Sequence, residues 1–333
     1  MYHITLIPGD GIGPEVTTST QSVIEAALKV HGSPKIEWDV QNAGQTAVTL
    51  LPEALLHSIE TNKIALKGPI TTPIGNGFKS INVQLRQKYA LYANVRPVKK
   101  IIDGRYSEPI DFVIFRENTE GLYAGVERVD SPDRIIAEKI TTRVASERIG
   151  RAAFEYAKKH GIDKVSVVHK ANILKQCDGL FLESVQNVAK AYPDITLEPV
   201  IVDNMAMQLV MDPSQFKVIV TTNLYGDILS DLSAGLVGGL GLVPGANIND
   251  EMAIFEPVHG SAPDIAGKDL ANPTACILSG VMMLDHLGEH AASKTLYEAV
   301  VATLLNLETR TKDLGGKLGT KAYTEAILAH IVK

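Results

Sequence analysis

Short runs rich in β-branched residues alternate along the chain with longer stretches of helical periodicity. Residues 4–7 read as a strand and 14–30 as an amphipathic helix; 64–66 and 112–115 read as further strands, and strand 165–168 precedes a helical stretch over 173–191. Such alternation predicts an α/β fold with a largely parallel sheet. Pro14 stands near the first turn of its helix, where a missing N–H costs little, and Gly32 stands just past the end, where a left-handed residue is needed. The pattern continues as strand 195–202, a short helix, strand 218–221 and helix 227–237, and then meets the glycine-rich run VGGLGLVPGAN, the best internal boundary. Helical periodicity over 275–287, 291–305 and 322–331 predicts an outer helical layer.

Composition narrows the function classes. The 333 residues suffice for about two domains. Thirty-two Lys and Arg against 38 Asp and Glu give a net charge of −6, which disfavours a nucleic-acid binder. The two cysteines, Cys177 and Cys276, are far apart and signal neither a disulfide framework nor a thiolate metal site. With no apolar run near the ~20 residues of a bilayer span, the expectation is a cytosolic protein without membrane contact.

Three groups of residues could carry chemistry. GDGIGPEV follows a strand and opens a helix but spells G-x-G-x-G-P, with no acidic residue ending a second strand, so a tight strand-to-helix turn is preferred over a Rossmann dinucleotide site. In the stretch SINVQLRQKYALYANVRP, Ser80 sits at a helix start, Asn82 and Arg86 share one helix face, and Arg96 lies beyond; Arg116 closes the apolar run DFVIF. Orphan N–H groups, a hydroxyl and three guanidinium groups suit a ligand with more than one carboxylate, or a phosphate. Asp227 and Asp231 stand four apart on a predicted helix and repel unless a cation lies between them. Asp203, ending the strand VIVD, would make this an all-oxygen set suited to Mg²⁺ or Mn²⁺. Lys170, after the strand VSVVH, and Tyr123, in ENTEGLYAG, form a plausible proton-transfer pair.

Taken together, GDGIGPE, LYANVRP, FRENTEGLYAG, HKANI, NLYGDILSD and HGSAPDIAGKDLANP resemble the decarboxylating β-hydroxyacid dehydrogenases, the isocitrate, 3-isopropylmalate and homoisocitrate dehydrogenase family, over nearly the whole length. The resemblance implies a fold unlike Rossmann: two α/β domains around a cleft, the larger from 1–91 and 239–333, the smaller from 92–238, with a dimer clasp near 121–142. It implies that Ser80, Asn82, Arg86, Arg96, Arg116, Tyr123, Lys170 and Asn172 bind substrate and that Asp203, Asp227 and Asp231 bind Mg²⁺ or Mn²⁺. Lys170 would assist loss of the hydroxyl proton and Tyr123 would protonate the enol carbon. Lys170 and Asp203 would come from the neighbouring protomer of an obligate homodimer.

SINVQLR looks like the isocitrate form of this segment, since isopropylmalate enzymes carry leucines there. For the cofactor, the resemblance places Thr72 near the nicotinamide end and residues 259–272 around the adenosine, among them His259, Gly260, Ser261, Ala262, Pro263, Asp264, Ile265 and Asn272, and it counts Glu256 among the cofactor-binding residues. Asp264 would accept a hydrogen bond from a ribose 2′-hydroxyl and repel a 2′-phosphate, which favours NAD. The expected activity is thus NAD-dependent oxidative decarboxylation of isocitrate. Homoisocitrate or 3-isopropylmalate dehydrogenase, and a non-catalytic regulatory subunit of a hetero-oligomeric isocitrate dehydrogenase, are the alternatives.

Overall fold

A computed structural model describes residues 1–44, 47, 50–71, 80–104, 106 and 108–332. The chain begins β1 (Tyr2–Ile7), α1 (Gly13–Val30), β2 (Ile36–Val40), α2 (Glu53–Asn62), β3 (Ile64–Lys67), α3 (Ile81–Lys88), β4 (Ala93–Lys99), β5 (Asp111–Glu117), β6 (Glu127–Ser131), β7 (Arg134–Ala137) and α4 (Arg143–Lys159). It continues β8 (Lys164–His169), α5 (Cys177–Ala189), β9 (Thr196–Ile201), α6 (Val202–Met211), β10 (Val218–Thr221), α7 (Asn223–Val237), β11 (Pro244–Ile248), β12 (Ala253–Pro257), α8 (Thr274–His286), α9 (His290–Leu305) and α10 (Thr320–Ile331).

Among the described residues ten strands share one sheet in the order β2-β1-β3-β12-β11-β4-β5-β10-β8-β9. The pairings β12-β11, β11-β4 and β4-β5 are antiparallel and the rest parallel. The two halves of the sheet therefore run in opposite senses, with β11 and β4 interleaved at the seam. The glycine-rich run is no mere linker: it delivers β11 into this seam.

Of the C-terminal helices, only part matches an outer layer. Ten of the 13 residues of α8 are buried, because it packs on β11, β12, α1 and α9. α9 and α10 cover it and α1. The predicted helix over 173–191 starts later, at Cys177. Residues 171–176 form turns in which Ile173 is 67% exposed.

The GDGIGPE turn is a close backbone crossing. Gly11 has φ +59°, a Cβ there would lie 2.0 Å from the Ser261 carbonyl oxygen, and the Ile12 N–H donates to that oxygen at 2.8 Å. Only glycine permits both the left-handed backbone and the approach. The turn thus anchors the loop 259–272 instead of cradling a phosphate.

Candidate active site

Side chains two apart on a strand share a face, so Asn94 and Arg96 of β4 project together, and Arg116 of β5 lies opposite Asn94 in the register. Helix α7 closes over them. A Cβ at Gly226 would fall 2.5 Å from Arg116 Cγ, so glycine lets the helix rest on the arginine stem. From the other half, α3 adds Asn82 and Arg86 one turn apart, with Ser80 as its N-cap residue. Together with Lys67, Tyr123, Asp227, Glu256, His259 and Gly260 they line one cavity of about 250 Å³.

The cavity is strongly cationic. Four cations (Lys67, Arg86, Arg96 and Arg116) face two carboxylates (Asp227 and Glu256), an excess of two positive charges. Arg116 is 1% exposed; its Nε and Nη2 donate to Asn223 Oδ1 at 2.9 and 2.7 Å, and its Nη1 pairs with Asp227. Burial, with the charges of Arg96 and Arg86, pushes its pKa down to about 9. Arg96 is lowered by burial and by Arg86; it donates to Ser230 and lies 3.5 Å from Asp227 and 3.8 Å from Asp231. Five buried polar atoms of the lining residues lack a hydrogen-bond partner: Arg86 Nε, Arg96 Nε, Asn82 Oδ1, Asn94 Oδ1 and His259 Nε2. Like charges buried together with orphan polar atoms are stabilised by an anion that fills the space between them.

Tyr123 lies against this cage. Its hydroxyl donates to Asp227 Oδ2 at 2.5 Å, and the Arg116 guanidinium lies 4.9 Å from its ring centre. Burial and the bond to Asp227 raise the phenol pKa, so the group stays protonated and able to donate. For Asp227 itself, burial pulls upward, but Arg116, the Tyr123 hydroxyl and the other arginines hold the carboxyl below its usual value. Asp231 is raised, by burial and by Asp227, against the pull of Arg96.

Lys170 and Asp203 pair with each other instead. The Lys170 N–H donates to the buried Asp178 carboxylate at 2.6 Å, and Lys139 pairs with that same carboxylate. The loop that carries Lys170 and the exposed Asn172 is therefore fixed from within. Neither Lys170, Asn172 nor Asp203 lines the cavity.

Of the expected cofactor residues, His259 and Gly260 reach the cavity, and His259 Nε2 is buried without a partner. Ser261 bonds Thr71 at 2.7 Å, and Ala262 and Ile265 pack on the large core beneath the loop. Pro263 and Asp264 are exposed. Asn272 donates to Asp313 at 2.9 Å and caps α8 by accepting from the Thr274 N–H at 3.0 Å. Thr72 lies outside the described residues. Glu256 is paired with Lys67 at 2.5 Å and Arg86 at 3.1 Å. Sequence reasoning passes over Lys67, although a lysine ending the apolar strand IALK is a signal. It also passes over Asn94 and Asn247, single amides inside apolar runs.

Comparison with known proteins accounts for this arrangement. Residues 3–327 match the family model described as isocitrate/isopropylmalate dehydrogenase. The mitochondrial NAD isocitrate dehydrogenase catalytic subunit 5 of Arabidopsis thaliana is 48% identical over 98% of this chain and 88% of that protein. A mitochondrial NAD isocitrate dehydrogenase regulatory subunit of Dictyostelium discoideum is also 48% identical, over 100% of this chain and 93% of that one. A crystal structure of isocitrate dehydrogenase from Methylococcus capsulatus is 50% identical, with TM-score 0.94 and 100% of both chains covered. The mitochondrial relatives overturn the cytosolic expectation; it rested on few cysteines and ordinary hydropathy, which suit any reducing compartment. The fold is the one the motifs implied, and the chain belongs to the isocitrate/isopropylmalate dehydrogenase family, a family of dehydrogenases.

Proposed function

We propose that the protein is the catalytic chain of an NAD-dependent isocitrate dehydrogenase, which oxidises isocitrate and releases CO₂ to give 2-oxoglutarate. The observation that carries this reading is the cage of Arg86, Arg96 and Arg116, buried with two positive charges in excess and with polar atoms unpartnered. A tricarboxylate supplies the missing negative charge and acceptors. An isopropyl group beside the buried Asn82 amide would leave it unpaired, a discrimination of about 1–3 kcal/mol. NAD is favoured by Asp264, whose carboxylate would repel a 2′-phosphate.

The donor set fits a hard divalent cation. Asp227 and Asp231 lie one turn apart on α7, offer only carboxylate oxygens, and Asp231 is raised in part by its neighbour's charge. Among the described residues no group of three or more His, Cys, Asp or Glu side chains is placed in one chain to hold a metal. Asp203 of a second copy would complete the set. Mg²⁺ or Mn²⁺ held there would lower the cost of negative charge on the substrate's hydroxyl and enolate oxygens.

The chain's own residues do the rest. The arginines fix the carboxylates and so aim the C2 hydrogen at the nicotinamide. Lys170 of the second copy takes the hydroxyl proton as the hydride leaves with its electron pair. The C–C bond to the carboxylate then breaks to give CO₂, and the Tyr123 hydroxyl returns a proton to the enol carbon. The clasp supports pairing of two copies: β6 and β7 form an isolated ribbon whose Val129 and Ile135 are 73% and 58% exposed, and such a ribbon is marginal alone.

A regulatory role has support in the regulatory subunits that match as closely as catalytic ones. The complete set of Tyr123, Lys170 and three aspartates favours catalysis. A panel of isocitrate, homoisocitrate and 3-isopropylmalate with NAD or NADP and Mn²⁺ tests both points. Isocitrate with NAD should turn over fastest. Preference for another acid would refute the substrate, and binding without any turnover would establish the regulatory reading.

A further inference from the structure

The geometry points to Asn247 as a positioning residue: with Lys67 it fixes the Glu256 carboxylate that holds Arg86 in the substrate cage. The inference rests on the reading of the cavity as the hydroxy-acid site.

Glu256 and Lys67 are buried at 7% and 2% exposure, and three donors converge on the carboxylate. Lys67 Nζ lies 2.5 Å from Oε2, while Arg86 Nη2 and Asn247 Nδ2 reach Oε1 at 3.1 and 2.6 Å. A carboxylate accepts only, so the Asn247 amide must present its NH₂ there. Its oxygen then faces away, and receives Asn94 Nδ2 at 2.8 Å and Asn118 Nδ2 at 2.9 Å. Asn118 also donates to the Leu91 carbonyl at 3.0 Å. Asn94 and Asn247 are opposite partners across β4 and β11, and Asn118 directly follows β5, so the relay ties together three strands of the seam.

Stability alone gives no reason for this network. The oxygens of Asn94 and Asn118 are buried without partners, a cost that apolar side chains would avoid. What the three amides deliver is one N–H, aimed at the acceptor that Arg86 uses. Arg86 Nε has no hydrogen-bond partner, Nη2 is the atom that reaches Glu256, and the guanidinium sits in mutual repulsion with Arg96 and Arg116. Without a fixed Glu256 its fork would be free to rotate, and a bidentate grip on a carboxylate depends on that angle.

The test is a double-mutant cycle on Asn247→Leu and Arg86→Met, read as KM and kcat for the acid and for NAD. It is run on whichever acid of the substrate panel the unmutated chain oxidises, so that a wrong choice of acid and a wrong relay are distinguished. Asn247→Leu should raise the KM for the acid about tenfold, with kcat within about threefold and the KM for NAD within about twofold. In the Arg86→Met background the same substitution should change kcat/KM less than twofold, an approximate bound set by non-additivity of coupled residues. Should Asn247→Leu fail to fold, the smaller Asn247→Ala, which removes the same N–H, takes its place in the cycle with the same expectation. Full additivity, an unchanged KM for the acid, or a rise in the KM for NAD alone would overturn the proposal.

Discussion

The cavity and the Lys170 loop, the two halves of the proposed catalytic set, have opposite surroundings. Arg116, Arg96 and Arg86 are 1–8% exposed, braced by Asn223, Asp227, Ser230 and Glu256, and assembled within one chain. Lys170 and Asp203 have side chains 28% and 68% exposed and, among the described residues, form an ion pair only with each other, beside exposed Ile173 and Leu174. The difference teaches that the cationic cage, the substrate-charge reader of the proposed function, is built and desolvated inside each chain. In the proposed function Lys170 and Asp203 instead serve a second copy from a surface position, the Lys170 backbone being held by Asp178. Four variants, one of them read as stability against pH, probe that contrast.

The largest effect should come from the buried half. Arg116→Met removes a charge from the cage and strands Asn223 and Asp227, so kcat/KM for isocitrate should fall by about 10³-fold or more. The same variant should lose several degrees of Tm, because the half-buried Asp227 carboxylate is left without its closest cation and Asn223 Oδ1 without its donors. Retention of both activity and Tm would show that the guanidinium is a surface group after all. Lys170→Met should separate the two properties. We expect kcat to drop about 10²–10⁴-fold while Tm stays within about 2 °C, since an exposed side chain carries little stability. A matching loss of Tm would make Lys170 structural.

A smaller effect tests the outer rim of the cofactor side. Asp264→Lys with Ile265→Tyr should move the NADP:NAD preference by about tenfold or more toward NADP, because charge at the 2′ position reverses. An unchanged ratio would detach Asp264 from the cofactor. The smallest concerns stability against pH. Burial would raise the Glu256 pKa, but Lys67, Arg86 and Asn247 outweigh it and hold the folded value far below the usual carboxylate range. The unfolded value is roughly 4.3. A depressed folded pKa means that the contribution is complete above roughly pH 4.3 and is lost as pH falls below it. Glu256→Gln should therefore flatten the acid limb of the unfolding free energy by about one proton; an unaltered slope would contradict the ion-pair geometry.

How far the sequence foretold all this depends on the kind of signal. Arg96 and Arg116 were legible because a cation in or at the end of an apolar strand has few places to go. Asp227 and Asp231 were legible from spacing alone. Lys67 was hidden by brevity, as one charged residue after three apolar ones. Asn247 was hidden by its glycine-rich context, which reads as a turn until β4 is seen beside it. The late start of α5 had a different cause. Ile173 and Leu174 look like a helix face, but the Asp178 carboxylate captures the Lys170 N–H and holds the preceding residues in turns. Apolar character alone does not distinguish a core position from an exposed turn position such as Ile173. The depth of α8 was unreadable because the periodicity over 275–287 marks a helix without telling how many elements pack around it.

The central claim is that each active site takes its arginine cage from one chain and its lysine from another. Arg116→Met and Lys170→Met chains, each inactive alone, should be co-expressed with different tags and the mixture assayed with isocitrate, NAD and Mn²⁺. Random pairing yields half hybrid dimers with one intact site in two, so activity should return to about a quarter of the wild-type value. Hybrid dimers that can be isolated through both tags yet remain inactive would contradict the account.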